Sequence, residues 1–208
     1  MNHHDMTRNM VLAALFAALT AIGAFLQIPT GTVPITLQFL FTALAGLLLG
    51  WKWGAVSQLL YVGIGLLGLP VFTQGGGIGY VLQPSFGFLL GLIPAAAVIG
   101  ALTARRTGYL TVLAAVLVGD LILYAVGVPY MYLILHVYMQ SAKTFPALLA
   151  AMLVYVPGDT LKIVVVTALA PVLRRTLAKA VPNPVKTRSS ACENGRMTGC
   201  PLAIRSRV

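Results

Sequence analysis

Charged side chains are scarce in this chain of 208 residues. Only 9% of the residues are Asp, Glu, Lys or Arg, whereas a soluble domain carries about 25%. No soluble fold manages with so little polar surface. The sequence therefore excludes an ordinary soluble domain before any motif is considered.

Catalytic and metal-binding groups are equally rare. No lysine follows a glycine, so the chain has no Walker A loop with which to bind and hydrolyse ATP. Cys192 and Cys200 lack both CxxC spacing and a nearby histidine, which argues against a zinc site or a disulfide framework. His136 is the only histidine outside the N-terminal tail, so the sequence offers few candidates for the general base or metal ligands that a hydrolase needs. We predict that the protein is not an enzyme and holds no metal or cofactor.

Long apolar runs are abundant instead, since 59% of the residues are hydrophobic. Runs of about 17 to 25 apolar residues can cross a bilayer core about 30 Å thick, and they recur along most of the chain. We predict an all-α integral membrane domain over residues 1–180 and a basic, disordered tail over 181–208. A cleaved signal peptide is the alternative for the first run. The six predicted transmembrane helices span residues 7–28, 36–49, 54–69, 84–103, 109–128 and 147–172.

The positive charges are distributed as membrane topology signals. The net charge is +10, but the cations lie between apolar runs and in the tail, so we predict membrane lipid and not nucleic acid as the surroundings. Six spans with both termini in the cytoplasm place the basic clusters on the inner side and leave only Lys143 outside. The basic residues of the inner connections and tail are Lys52, Arg105, Arg106, Arg174, Arg175 and Lys179. We predict a multi-pass protein of a bacterial or archaeal plasma membrane.

A long uncharged connection on the predicted outer side is rich in glycine. It contains Gly76 and Gly77 and ends near Tyr80 and Gln83. Glycines allow backbone conformations and close approaches that other residues resist, so the segment is a candidate lid over a binding site. A flexible hairpin without a binding role is the alternative.

Three acidic or lysine side chains fall inside the predicted spans, and they are the strongest indication of function. Each costs about 2.5–3.5 kcal/mol at the centre of a membrane helix, so each needs a buried partner or a ligand. Asp159 and Lys162 are one helical turn apart on one face, and together they could bind a ligand that carries both N–H donors and a carboxylate. A purely structural ion pair is the alternative. Asp120 is a weaker candidate, because it could simply bond to a neighbouring helix.

Aromatic and small residues suggest two further surfaces. Tyr124 and Tyr132 follow Asp120 toward the outer side and could wall a flat or apolar ligand, or belong to an interfacial belt. Small residues four apart on the first helix could let another helix approach closely, within the protein or in a partner. These small residues are Ala13 and Ala17 on one stripe, with Ala14 and Ala18 beside it.

Four segments form a recognisable set: VPITLQ at 33–38, GLPVFTQGGGIGY at 68–80, QPSFGF at 83–88 and PGDTLK at 157–162. Together they resemble the BioY family, the biotin-specific subunits of energy-coupling factor (ECF) transporters. The resemblance runs in order from about Thr7 to Lys179. The tail beyond Val181 matches nothing in the family.

The resemblance implies the fold and function of a substrate-binding (S) component. It implies six helices and a high-affinity biotin site open to the outside, with a coupling membrane protein and two ATPase subunits as partners. Asp159 and Lys162 match the polar pair of the family's last helix, and the residues through Tyr80 and Gln83 match its loop motif. The alanine stripe matches the surface that docks the coupling protein. The alternatives are an S-component for another small carboxylated vitamin, a membrane enzyme and a structural scaffold.

Overall fold

The structure is a computed structural model that describes residues 3–28, 34–104, 108–138, 140 and 145–180. Side chains are described from Met6 to Leu173 within those ranges. The chain divides into two units, Met1–Pro171 and Val172–Val208, and the predicted tail at 181–208 lies outside the described residues. The elements are α1 (His3–Phe25), β1 (Gln27–Ile28), β2 (Ile35–Thr36), α2 (Gln38–Leu66), a 3₁₀ turn (Ile78–Leu82), α3 (Phe86–Leu102), α4 (Tyr109–Leu133), a π-helical turn (Ile134–Tyr138), α5 (Phe145–Met152) and α6 (Val156–Ala180).

The all-helical membrane architecture is confirmed, since each of the six predicted segments is helical over most of its length. By length and composition, α1, α4 and α6 are able to cross a bilayer, α2 reaches that length only if both of its halves are counted together, and α3 is a shorter apolar helix. The short strands β1 and β2 pair in antiparallel fashion, with Gln27 opposite Thr36 and Ile28 opposite Ile35. This pairing places residues 34–36 next to the end of α1.

Helix α2 is a helical hairpin, because its backbone breaks at Gly50. That glycine has φ 79° and ψ −179°, a conformation that only glycine adopts readily. Across the hairpin, Gln38 donates a hydrogen bond of 2.5 Å to Tyr61. In a continuous helix these two residues would lie about 34 Å apart. Residues 38–49 and 51–66 are therefore the second and third predicted helices, and neither is long enough alone to cross a bilayer without tilting or thinning it.

Close glycine contacts hold α2, α3 and α4 together. A Cβ on Gly46 would lie 2.5 Å from the carbonyl oxygen of Ala96 in α3. A Cβ on Gly91 would meet the backbone of Leu123 in α4 at 3.2 Å. Small residues at such positions let the backbones of membrane helices approach closely. The helix α3 thus packs between the α2 hairpin and α4.

Helix α4 extends further than predicted. The sequence placed its end at Val128 and a loop from there to Pro146, but the helix continues to Leu133 and a π-helical turn follows to Tyr138. Pro129 lies inside the observed helix. In membrane helices, neighbouring groups and local π-helical adjustments re-satisfy the backbone that a proline disrupts, so the loop prediction was wrong for its first half.

The last predicted helix is two helices. Instead of one span over 147–172, α5 ends at Met152 and α6 begins at Val156. Pro157 lies in the first turn of α6, where the missing N–H of proline is harmless and its fixed φ favours helix initiation. The break matters because it brings Tyr155 and Asp159 to one end of a helix.

The glycine-rich connection is anchored to the helices beneath it. Phe72 is 1% exposed and its ring occupies the space left by Gly65 of α2, where a Cβ would lie 2.0 Å from the ring. Gly77 donates a backbone hydrogen bond of 2.7 Å to the carbonyl of Gly65. The connection also packs through a tilted ring pair between Phe72 and Tyr80, with centroids 4.6 Å apart. It forms one wall of the cavity described next.

Candidate ligand-binding cavity

A cavity lies where the loop, α2, α3, α4 and the start of α6 meet. Its volume is about 70 Å³. Its apolar surface comes from Phe39 of α2, from Phe88, Leu89 and Leu92 of α3, and from Leu123 and Met152. The polar residues that line it are Thr36, Gln38, Thr73, Tyr80, Ser85, Tyr124, Tyr155, Asp159 and Lys162.

The charged group of the cavity is a buried ion pair at the beginning of α6. The Nζ of Lys162 donates to Oδ1 of Asp159 at 2.7 Å, and both side chains are about nine-tenths buried. The hydroxyl of Tyr124 in α4 donates to the other oxygen, Oδ2, of the same carboxylate. Asp159 lies in the first turn of α6, where the helix dipole favours a negative charge. Both carboxylate oxygens are therefore satisfied while the pair faces the cavity.

A second polar group comes from the loop and the beginning of α3. The hydroxyls of Thr73 and Tyr80 are 2.8 Å apart, and the hydroxyl of Tyr80 lies 3.3 Å from that of Ser85. Hydroxyl groups both donate and accept hydrogen bonds, so this cluster can present either to a ligand. The carbonyl of Thr73 also accepts a hydrogen bond of 3.2 Å from Gln27, which fixes the loop to the end of α1.

A third polar group connects the cavity to the interior of the protein. The hydroxyl of Thr36 donates to Gln38 at 2.9 Å, and Gln38 donates to Tyr61, whose hydroxyl in turn donates to the carbonyl of Val71 at 3.1 Å. Thr36 and Gln38 line the cavity, while Tyr61 lies behind them and is 1% exposed. Buried networks of this kind fix side-chain orientation when every member is satisfied.

The structure brings together four of the nine residues predicted to bind a ligand. Asp159, Lys162, Tyr80 and Tyr124 line the cavity, whereas Asp120, Gly76, Gly77, Gln83 and Tyr132 do not. The ring of Tyr132 stacks on His136 with centroids 5.5 Å apart, and Gln83 is exposed. A Cβ on Gly76 would lie 2.1 Å from the carbonyl oxygen of Leu69, so this glycine allows the loop to turn tightly.

Sequence reasoning missed the uncharged polar residues of the cavity. Thr36 and Gln38 lie in VPITLQ, Thr73 in GLPVFTQGGGIGY and Ser85 in QPSFGF, all of them segments that had been singled out. The signal was therefore present in the motifs as wholes. Within the described residues, no group of three or more His, Cys, Asp or Glu side chains could hold a metal ion.

The two faces of the alanine stripe differ in burial. Ala13 is fully buried and Ala17 is 4% exposed, because both pack inside the protein. Ala14 and Ala18 are exposed on α1, beside the exposed side chains of Leu15 and Ile22. Of the two predicted docking pairs, only the second presents a surface that a partner can reach.

Comparison with known proteins agrees with the geometry. A sequence model of the BioY family matches residues 1–179. The chain is 54% identical to "Probable biotin transporter BioY" of Lysinibacillus sphaericus, over 67% of this chain and 72% of that protein. It is 39% identical to "Biotin transporter BioY" of Rhodobacter capsulatus, over 88% of this chain and all of that protein. A crystal structure of the S-component for biotin from an ECF-type ABC transporter is similar with a TM-score of 0.73 and 28% identity, covering 84% of this chain and 95% of that one.

Proposed function

Since this chain belongs to the BioY family, we propose that it is a biotin-binding S-component that captures biotin outside the cell and delivers it inward. Like its relatives, it is a multi-pass membrane transport protein; it is not an enzyme. Having no ATP-binding loop, it depends on partner subunits for an ATP-driven step: a coupling membrane protein and ATPase subunits. Biotin is the transported ligand and not a cofactor.

The observation that carries this proposal is the buried ion pair at the cavity. The ureido ring of biotin offers two N–H donors, its side chain ends in a carboxylate and its middle is apolar. In this proposal Asp159 accepts hydrogen bonds from the N–H donors, and Lys162 turns from Asp159 to the carboxylate at the opposite end of the ligand. Phe39, Phe88 and Leu92 offer apolar surface for the middle of the ligand. High affinity is expected because both polar ends of the ligand and its apolar middle then have partners.

The cavity must widen to admit biotin. Its volume of about 70 Å³ holds about five water molecules, while sites for drug-sized ligands measure about 300–1,000 Å³. The loop that carries Thr73 and Tyr80 covers the cavity and is joined to the helices mainly by hydrogen bonds and ring contacts. We therefore propose that this loop moves outward when the ligand enters and closes over it afterwards.

Titration calorimetry of the detergent-purified protein tests the ligand. Biotin should bind the wild type tightly, and Asp159→Ala and Lys162→Ala should each weaken binding by at least about a hundredfold, since a hydrogen bond to a buried charge is worth about 1.5–3 kcal/mol and the partner left alone adds a penalty. Thr160→Ala is the matched control, because Thr160 lies between the pair but is exposed. It should bind as the wild type does.

A second ligand distinguishes the roles within the pair. Lys162→Ala should weaken binding of biotin far more than binding of biotin amide, which lacks the carboxylate charge. Equal weakening of both ligands would reject the role of Lys162. If a folded wild type binds another small carboxylated vitamin and not biotin, the chain is an S-component of different specificity.

The exposed alanine pair is the proposed docking surface for the coupling protein. Replacing Ala14 and Ala18 by leucine should abolish co-purification with the coupling protein and ATPase subunits, while biotin binding by the isolated chain is retained. Leu117→Trp, on an exposed face of α4, is the control and should leave the complex intact. Loss of biotin binding in the alanine variant would indicate misfolding, and an intact complex would exclude this surface.

A further inference from the structure

Asp120 is a half-buried acid outside the cavity lining. It lies one helical turn before Tyr124 on the same face of α4, and Tyr124 donates to Asp159. Its Oδ1 atom is buried and makes no hydrogen bond to any described residue. An ionised carboxylate oxygen that is buried without a donor is poorly stabilised, so this group accepts a proton readily when further negative charge is brought near it.

The charged groups that face Asp120 come from α6. Asp159 is joined to α4 through the hydroxyl of Tyr124, and Lys162 pairs with Asp159. Tyr124, on the same helix as Asp120, carries a titratable hydroxyl, and Tyr155 lines the same cavity. The helices α3 and α5, on either side of α4 in the described chain, contribute no ionisable side chain. Asp120 is thus the third member of a compact group with one positive and two acidic side chains.

An anionic ligand upsets the charge balance of this group. The Asp159–Lys162 pair is neutral in sum, so a carboxylate bound beside Lys162 brings one uncompensated negative charge into surroundings of low dielectric constant. A proton bound at the same time would remove that cost. Asp159 is poorly placed to take it, because both of its oxygens already accept hydrogen bonds. Asp120 has a buried oxygen with none.

We propose that Asp120 takes up one proton when a carboxylated ligand binds beside Lys162, and gives it back when the ligand leaves. The proton comes from hydronium or a buffer acid in bulk water: the bond to hydrogen in that donor breaks, and an O–H bond forms on the Asp120 carboxylate. Asp120 is therefore a positioning residue that acts through Lys162 and does not touch the ligand. The inference rests on the proposed function, since it requires a carboxylated ligand in this cavity.

Proton uptake is measured directly by titration calorimetry of biotin in buffers of different ionisation enthalpy, and by a pH indicator in weakly buffered solution. The wild type should take up as much as one proton per biotin. Its affinity for biotin should fall as pH rises through the range in which Asp120 loses its proton, by at most about tenfold per pH unit for one proton. Biotin amide, which brings no charge, should show neither effect.

Two substitutions at the same position separate charge from packing. Asp120→Asn keeps the size but cannot take up a proton, so it should bind biotin with no proton uptake and a flat pH profile. Asp120→Glu keeps the carboxyl group and should restore uptake at least in part.

Binding of biotin by the wild type without proton uptake would overturn the inference and leave the proposed function standing. Proton uptake that persists in Asp120→Asn would assign the proton to another group and also overturn it. Uptake of equal size with biotin amide would exclude charge balance as the cause. Failure of the folded wild type to bind biotin at all would defeat the proposed function and this inference with it.

Discussion

Tyr124 connects α4 to the charged pair of α6 through one hydroxyl group. Tyr124→Phe removes the donor and leaves Oδ2 of Asp159 buried with one bond fewer, which costs about 1–3 kcal/mol. We expect the unfolding midpoint, followed by circular dichroism in detergent, to fall by several degrees. Tyr109→Phe, whose side chain is 62% exposed, should leave the midpoint unchanged. In an Asp159→Asn background the effect of Tyr124→Phe should shrink; an undiminished effect would mean that the hydroxyl acts elsewhere.

Among single residues, the charged members of the cavity could be predicted from the sequence, whereas its uncharged polar members could not. Asp159 and Lys162 could be identified because a charge inside a membrane helix is costly and requires an explanation. Gln38 and Ser85 carry no comparable signal, since amide and hydroxyl groups are tolerated wherever one partner is near. Only the fold shows that Gln38 lines the cavity while Gln58, one turn before Tyr61, is fully buried among Thr20, Thr42 and Ser57.

Among the elements, the contact between the α2 hairpin and α3 depends on a glycine. Gly46→Ala places a Cβ 2.5 Å from the backbone oxygen of Ala96, and backbone cannot rotate away as a side chain can. Overpacking of this kind costs about 1–3 kcal/mol, so we expect a clear fall in the unfolding midpoint. Gly63→Ala in the same hairpin meets no atom within 4 Å and is the control. It should be neutral or slightly stabilising, because alanine favours a helix over glycine by about 1 kcal/mol. Equal effects at both positions would show that the close contact is unimportant.

The loop over the cavity depends on the fit between Phe72 and Gly65. Gly65→Ala should push the ring of Phe72 out of its space and loosen the loop, weakening biotin binding and speeding dissociation as measured by stopped-flow kinetics. Adding Phe72→Leu makes room for the new Cβ and should recover part of the lost affinity. If the double variant binds no better than Gly65→Ala alone, the ring does not hold the loop in place.

Element boundaries reveal which rules transfer to a membrane. The break at Gly50 had been placed correctly between two predicted helices, at a connection that holds Lys52 between two tryptophans. The end of α4 was placed too early, at Val128, whereas the helix continues through Pro129 to Leu133. The break at 153–155 had no sequence marker, since the apolar run there is continuous up to Pro157.

For the molecule as a whole, the family and the helical membrane fold were predictable from sequence, whereas the orientation in the membrane stays a prediction. Both cysteines of the chain, Cys192 and Cys200, belong to the tail. A membrane-impermeant maleimide should label them in lysed cells and not in intact spheroplasts if the C-terminus is cytoplasmic. In a cysteine-free variant, Gln74→Cys in the exposed part of the loop should be labelled in both. Labelling of the tail in intact spheroplasts would reverse the assigned topology.

The turn at Gly50 also decides what the protein's own fluorescence can report. Both tryptophans, Trp51 and Trp53, follow that turn, and the ring of Trp51 is 53% exposed with Lys52 lying 5.2 Å from its centroid. They are separated from Gln38 at the cavity by about 18 Å of helix. We therefore expect tryptophan emission not to change when biotin binds, so an unchanged spectrum would not show that binding has failed. Phe88→Trp would add a tryptophan at the cavity wall, and the two native tryptophans would still report on the far end of the hairpin.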